Sequence, residues 1–599
     1  MRQVAARASQ IRTGSIPAPV GGLNARDSIA DMKPTDAVIM DNWVPGTTSV
    51  SIRKGYSSWA TGFASAVESL LTYQSPTTKK MFAASGTAFY DVTNSGPIGA
   101  AVVSGLTNAR WQFANFGTPG GQYLYAVNGV DKPRLYDGST WVPIDNGVGA
   151  TITSITFVGT TATLTTATPH GLATGRTVTV VGATPAAYNV TAKPITVTGA
   201  NTFTYQMAST PASNATVVGT YTYGPSITGT DISGNTVNPS HFKDVQVYAR
   251  RLWFTETNSF RVWYLPINSI AGTASSIDFS SLYVLGGSLQ GMVVWTVASE
   301  YGTTDYAAFV SSEGEVVLYQ GIDPDTAGSF TLVGTFRIGK PVGQRFWSRV
   351  GTDTILICED GLLPISKAAF TNRQSQGDAI SFKITNMINQ SLEINKGNFG
   401  WQVLLFPLGN KIICNAPASQ DAQTVQYVMN TLTNSWCRYT NIPARCYALF
   451  GDNPYFGTAN TVCKAENGND DNGSAIAADV MPAYSYFGAP GLQKLFSTVR
   501  PIVTVNGTFN PSVGLSVDFS DATSTSTPTL SSGSPAPPWN TSPWNITPWS
   551  YPFVTTRDWL WLGGVGFAAA IRMKSLTKSI SVEWSSTDYA WEQSRGGVY

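Results

Sequence analysis

Charge is what this chain has least of. Its 599 residues include 37 Lys and Arg against 36 Asp and Glu, 12 % of the chain, where soluble domains average about 25 %. The two signs nearly cancel, leaving a net charge of +1, which argues against a basic nucleic-acid footprint over the whole chain. Histidine is scarcer: only His170 and His241 occur, neither with a His, Cys or carboxylate partner at metal-ligand spacing. No zinc site and no cofactor are therefore expected. The five cysteines, Cys358, Cys414, Cys437, Cys446 and Cys463, form no CxxC pair and are too few for a disulfide framework. They read as buried small hydrophobes of a reduced protein made in a cytoplasm. No apolar run approaches the ~18 residues that would span a bilayer; the best is Val565 to Ile571. The N-terminus carries Arg2, Arg7 and Arg12 but no apolar core of a secretory signal. Neither a GxSxG elbow nor a complete GxxxxGK[ST] loop is present; the near miss at Gly334 to Lys340 runs into Pro341, which has no hydroxyl for magnesium. The expectation is a protein that is not an enzyme.

What the chain does have is aromatic residues, 12 %, with 57 Gly and 34 Pro. So many aromatics with so little charge exclude disorder and suggest burial against partner subunits. Short runs of Val, Ile, Thr, Tyr, Phe and Trp alternate with Gly, Asn, Asp and Ser turns almost throughout, so the fold class is mainly β. The clearest helical spacing is near 378–394, where Ile380, Ile384, Met387, Ile388 and Leu392 recur on one face.

One hairpin pattern repeats. Its turns fall near 86, 129, 258, 314, 361, 409 and 460. The spacings run from 43 to 56 residues, except one of 129 that drops to 51 if residues 147–224 are an insertion. One hairpin per ~40–50 residues fits the blades of a β-propeller. Asp137-Gly-Ser-Thr-Trp141 and Leu432-Thr-Asn-Ser-Trp436 rhyme as turns closed by Trp. The expected architecture is a β-propeller-like repeat core with an inserted small β domain and a C-terminal β platform. Residues 1–60 would form an N-terminal arm and platform strands, and 61–146 the first part of the propeller. The Thr- and Val-rich stretch 147–224 would be the inserted module, 225–478 the rest of the propeller, and 479–599 the platform. Within the last, the loop 535–552 repeats Pro-Trp every five residues, and proline at that density keeps it out of a sheet interior.

Candidates for chemistry are few. Asp323 and Asp325 are the nearest to a glycosidase carboxylate pair and read better as an Asx turn. Asp470-Asp-Asn-Gly473 matches part of a calcium loop, but Asp479 stands where the pattern wants Glu, so a tight turn is the better reading. Arg250, Arg251 and Arg261 flank aromatic strands and read as surface stems rather than a DNA patch. Trp539, Trp544 and Trp549 are candidate subunit or receptor contacts, because flat amphipathic rings suit interfaces. Arg2, Arg7 and Arg12 are a candidate docking arm for an acidic partner.

Several segments, in order, resemble the tail nozzle (tail tubular or hub) proteins of short-tailed bacteriophages. They begin with Gly21-Gly-Leu-Asn-Ala-Arg-Asp-Ser28, Met40-Asp-Asn-Trp-Val-Pro-Gly46 and Ile52-Arg-Lys-Gly-Tyr56. Phe242-Lys-Asp-Val245, Arg251-Leu-Trp-Phe254, Val262-Trp-Tyr-Leu-Pro266 and Gly286-Gly287 follow, then Ser312-Glu-Gly-Glu-Val316, Tyr319-Gln-Gly-Ile-Asp-Pro324 and Gly339-Lys-Pro341. Gln426-Tyr-Val-Met-Asn430, Trp436, Lys494 through Arg500-Pro501 and Val517-Asp-Phe519 complete the series. Inside the insertion, His170-Gly-Leu-Ala-Thr-Gly175 and Pro185-Ala-Ala-Tyr-Asn189 resemble a small β module named from ubiquitin-activating enzymes, here without a cysteine.

The resemblance implies a virion protein of the tail, made in the host cytoplasm. It would form a homo-hexameric ring on the head-to-tail adapter that retains packaged double-stranded DNA and conducts it during ejection. Arg2, Arg7 and Arg12 would then dock the adapter, and tail fibres or spikes and the host envelope would be further partners. Few phosphate contacts suit a conduit, since each one adds salt-dependent affinity and drag. The alternative is a receptor-binding or glycan-degrading tail component, with the Pro-Trp loop as its binding edge.

Overall fold

A computed structural model describes residues 11–145, 147–299, 302–370, 377, 379–419, 424–520, 524–531, 553–556 and 558–593. The chain is mainly β, as its alternating patterns predict, and its centre is propeller-like.

Among the described residues, seven groups of consecutive antiparallel strands, the sixth of them part of a larger sheet, follow one another around a ring. The first spans Val67–Gln74 to Ala88–Asp91 and the second Gln112–Thr118 to Trp141–Pro143. The third runs from Phe242–Tyr248 to Ser275–Asp278, the fourth from Leu289–Ser299 to Phe330–Arg337, and the fifth from Trp347–Val350 to Gly361–Pro364. The sixth spans Gln402–Phe406 to Ser435–Tyr439 and the seventh begins at Cys446–Phe450. Each predicted turn falls in a different sheet. Six join the second strand to the third, but the one at 409 joins the first to the second of its sheet.

The ring closes because Cys446–Phe450 packs against Val67–Gln74. The seventh sheet takes its outer strand from the N-terminus: Tyr56–Thr61 pairs antiparallel with Thr461–Ala465. Residues 56–60 therefore belong to the propeller and not to the N-terminal platform segment. The reason is packing: Ala60 is buried among Val67, Cys446, Tyr455 and Val462, and Trp59 meets Tyr455 edge-on.

Sheets are glued face to face by aromatic clusters. Between the first two, Phe82 meets Tyr136 and Trp141 edge-on and Phe89 meets Trp141 edge-on, with centroids 4.9–5.1 Å apart. Each such pair adds about 0.5–1.5 kcal/mol beyond the area it buries. Trp141 thus explains its own rhyme: it closes a turn in which Asp137 accepts from the Ser139 and Thr140 amides, then packs into the blade interface. Trp436 sits instead in the sixth sheet, its indole N–H donating to the Ile380 carbonyl at 3.1 Å.

Residues 147–224 leave after the outer strand of the second sheet and fold into their own seven-stranded sheet, around a core that includes Leu164, Val180, Tyr188, Phe203 and Tyr221. Arg176 mounts this module. It pairs with Asp145, donates to the Pro143 and Asp145 carbonyls and lies over Tyr223.

The terminal strands interleave in two platform sheets. In one, Ile11–Pro17 and Val50–Ile52 pair with Val582–Gln593, which pairs with Lys494–Val505. In the other, Asp36–Asp41 lies between Ser435–Tyr439 of the sixth blade and Ile476–Pro482, so that blade and platform form one ten-stranded sheet.

The helix starts later than its sequence period suggests. It spans Thr385–Asn395 behind a 3-10 turn at Phe382–Ile384, and a short helix Ile365–Phe370 precedes it. Ile380 is withheld because its amide donates to Leu362, while Ser381 Oγ accepts from the Leu362 amide.

Candidate functional site

The resemblance motifs near the N-terminus meet in a buried polar knot. Arg53 forks onto Asp471 at 2.6 and 2.7 Å, its Nε donates to Asn42 Oδ1 at 2.7 Å, and its remaining N–H groups reach the Lys54 and Thr440 carbonyls. Asn42 in turn donates to Thr440 and the Ala477 carbonyl and accepts from the Thr440 amide. Asn42 holds a left-handed φ of 60°, a conformation asparagine tolerates better than most residues. The knot joins the N-terminal strands, the last blades and the platform. Asp470 to Gly473 is accordingly a structural turn, with Asp471 committed to arginine.

Around the ring, polar side chains tie several neighbouring blades to one another. Asn115 donates to the Thr72 carbonyl, Asp244 accepts from the Met292 amide, and Gln290 donates to the Gly343 carbonyl. Gln402 exchanges two bonds with Tyr447, at 2.9 and 2.8 Å. Arg345 reaches from the fifth blade to the first and second: it donates to Ser69 Oγ at 2.6 Å and to the Glu68 and Trp111 carbonyls. Burial pushes its guanidinium below the usual arginine range. Its other neighbour is Phe399, whose ring also carries Arg110, itself paired with Glu68. Arg345 is thus a cross-brace.

A groove of about 540 Å³ opens on the ten-stranded sheet, lined by Asp41, Asp479, Lys574, Asn510, Ser512 and Thr440. Register places Arg438, Asp41, Asp479 and Lys574 side by side on four adjacent strands. Arg438 forks onto Asp41 at 2.6 Å, and Arg572 onto Asp479 at 2.8 and 3.1 Å. Like charges directly opposite each other destabilise a sheet, and here the two carboxylates are offset by a guanidinium on each flank. Both are held in ion pairs.

The carboxylates singled out at 323 and 325 have a similar fate. Arg251 pairs with both, at 2.6 and 3.2 Å, and Tyr264 Oη donates to Asp325 at 2.7 Å. Burial and that carboxylate push the Tyr264 phenol upward. Arg251 is therefore no surface stem but a buried one. Arg261 pairs with Asp231 and Glu256, and Arg250 sits in a turn at φ 58°. His170 caps a loop: its Nδ1 accepts from the Leu172 amide and its Nε2 faces the Gly199 carbonyl. His241 lies 3.1 Å from the Asn238 amide group. Among the described residues no group of three or more His, Cys, Asp and Glu could hold a metal ion, and no helix is long and apolar enough to cross a membrane.

Of the candidate contact residues, Trp539, Trp544, Trp549, Arg2 and Arg7 lie outside the described residues. Arg12 is exposed on the platform strand Ile11–Pro17, in register with Trp591. The sequence reading missed the surface beside it. On the outward face of that sheet, Val565, Leu495, Glu592 and Ile11 stand in one row across four strands. The next row is Trp561, Thr498, Ala590 and Thr13. Trp561 is 81 % exposed, Ile11 64 %, Val565 56 % and Leu495 46 %. Leu560-Trp-Leu562 held the signal, apolar on both sides of a strand whose alternation should leave one side polar.

No protein-family model matches the chain, and no curated protein matches it. Among solved structures, the computationally designed Ika8 protein is 10 % identical, with 68 % of this chain and 99 % of that one covered at a TM-score of 0.32. A dihydro-heme d1 dehydrogenase is 9 % identical over 70 % and 71 % of the two chains, with a TM-score of 0.29. The endosialidase of phage phi92 is 12 % identical over 73 % and 57 %, with a TM-score of 0.17. At these scores none of the three likenesses carries an argument about function.

Proposed function

We propose that this chain is a structural virion protein, one subunit of the ring-shaped nozzle that ends a short phage tail. In this reading it is homo-hexameric, attaches to the head-to-tail adapter, retains packaged DNA and conducts it during ejection. The observation that carries the reading is the Arg53 knot. The motifs that resemble nozzle proteins, Met40 to Gly46 and Ile52 to Tyr56, supply Asn42 and Arg53, which do architectural work by joining platform to propeller. The charge pattern agrees: Arg53, Arg251, Arg261 and Arg438 are all spent on carboxylates of the same chain, which leaves them unavailable to grip phosphates. In this reading the protein is not an enzyme.

A receptor-binding or glycan-degrading tail component is the second reading, favoured by the groove at Asp41 and Asp479. A glycosidase turns two carboxyl groups toward the bond it cleaves, whereas both of these are forked onto arginines of the same sheet.

A cryo-EM reconstruction of the tail of the particle that carries this protein tests the choice. Six copies around an axial channel beneath the adapter are expected. Trimeric copies at the periphery would sink the nozzle reading.

A further inference from the structure

The outward face of the platform carries four exposed large apolar side chains, Trp561, Ile11, Val565 and Leu495. Partners in antiparallel register share a face, so Val565, Leu495 and Ile11 lie in one band, with Glu592 between the last two and Trp561 beside it. Arg500 and Asp588 pair with each other at the far side of this face, and Arg500 lies 4.8 Å over the Trp559 ring. Their charges are thereby offset within the chain. Apart from Glu592 in its first row, such a surface offers few charges to phosphates or to a strongly charged protein. It fits a partner that is itself neutral, and this chain is one, with a net charge of +1 over 599 residues. Near-zero net charge leaves little long-range repulsion between copies.

A second exposed apolar set lies elsewhere, on the fourth blade. Its outer strand Phe330–Arg337 has eight residues, whereas the outer strands of the first, second, third and fifth blades have three or four. Short outer strands are a common protection against edge association. A bulge between the Leu332–Tyr319 and Gly334–Leu318 pairs turns neighbouring Leu332 and Val333 both outward, 44 % and 50 % exposed. Among the described residues no strand pairs with the outer edge of Phe330–Arg337. Two different patches on one chain permit head-to-tail contact, the kind that closes rings.

We propose that the platform face around Trp561 seats the fourth-blade strand Phe330–Arg337 of a second copy of this chain. The inference rests on the ring reading and names its subunit contact.

The test uses the full chain and two charge variants, Trp561→Glu and Leu332→Glu, with sedimentation and native mass spectrometry as readouts. Both side chains are exposed, so each variant should melt with the wild type, and Thr331→Glu serves as a second fourth-blade variant if Leu332→Glu does not. The wild type should associate with rising concentration. Each variant alone should associate roughly a hundredfold more weakly or worse, as loss of a central aromatic or aliphatic anchor does. Mixed in equal amounts, the two variants should form a one-to-one dimer and nothing larger, because one intact contact remains: the platform of the Leu332→Glu copy with the blade of the Trp561→Glu copy. A wild type that stays monomeric, variants that associate normally, or a mixture that forms no dimer each overturns the proposal. Six-fold copies in the tail would leave the ring reading standing even then. A tail map with a different protein over Trp561 also overturns it.

Discussion

Arg53 and Asp471 stand 418 residues apart in the chain and meet in a fork, with side-chain exposures of 0 % and 7 %. Two buried charges so placed repay little net stability, but removal of one leaves the other uncompensated. The pair is therefore a specificity device. It fixes which N-terminal segment lies beside the last blade.

Asp471→Asn should destabilise the protein by about 3–5 kcal/mol. Arg53→Lys should also lose stability, because a lysine keeps the charge but cannot reproduce the fork. Denaturant unfolding of the three proteins checks this, and wild-type stability in Asp471→Asn would refute the role assigned to the pair.

Arg345→Ala should loosen the ring at its first blade. It strips the donor from Ser69 Oγ and from the Glu68 and Trp111 carbonyls, a loss of about 1–3 kcal/mol for acceptors left unpaired. Hydrogen exchange should accelerate in Val67–Gln74 more than in the distant insertion at 147–224. Uniform exchange across both would contradict the cross-brace.

Lys243 gives the protein a pH signature. Burial lowers its ammonium from 10.5 to about 8, against the opposing pull of neighbouring Asp244. Below pH 8 folded and unfolded chains both hold this proton, and the burial penalty is constant. Between 8 and 10.5 the unfolded state binds more protons, so stability from this group rises with pH. Lys243→Met should therefore melt higher than wild type at pH 7, by at most about 3 kcal/mol, and the gap should close by pH 10.5. Parallel melting curves across that window would disprove the penalty.

The five thiols should be silent in the native protein. All five cysteines are free and buried, and burial raises the Cys358 and Cys414 thiols to about 12 and Cys446 to about 11. A thiol reagent at pH 8 should titrate none before unfolding and five after it, since the thiolate is the reactive form. Fast reaction of one thiol in the folded state would show that its blade interface opens.

What the sequence alone determined is local: the β class, the seven hairpin turns and the span of the insertion. Alternation and turn residues act over two to five positions, so Gly86, Gly314 and Gly361 mark their hairpins without reference to the rest of the chain. The Thr385–Asn395 helix was legible for the same reason, except at its start, where Leu362 claims the backbone of Ile380. Tertiary structure alone decided the contacts between remote segments. Nothing near Tyr56–Thr61 marks it as the outer strand of the seventh blade, and nothing near Arg345 marks a cross-brace. The exposed row at Trp561 is likewise made by four strands drawn from both ends of the chain. Such placements depend on which distant surfaces bury each other, and a side chain's local sequence holds no record of its partner.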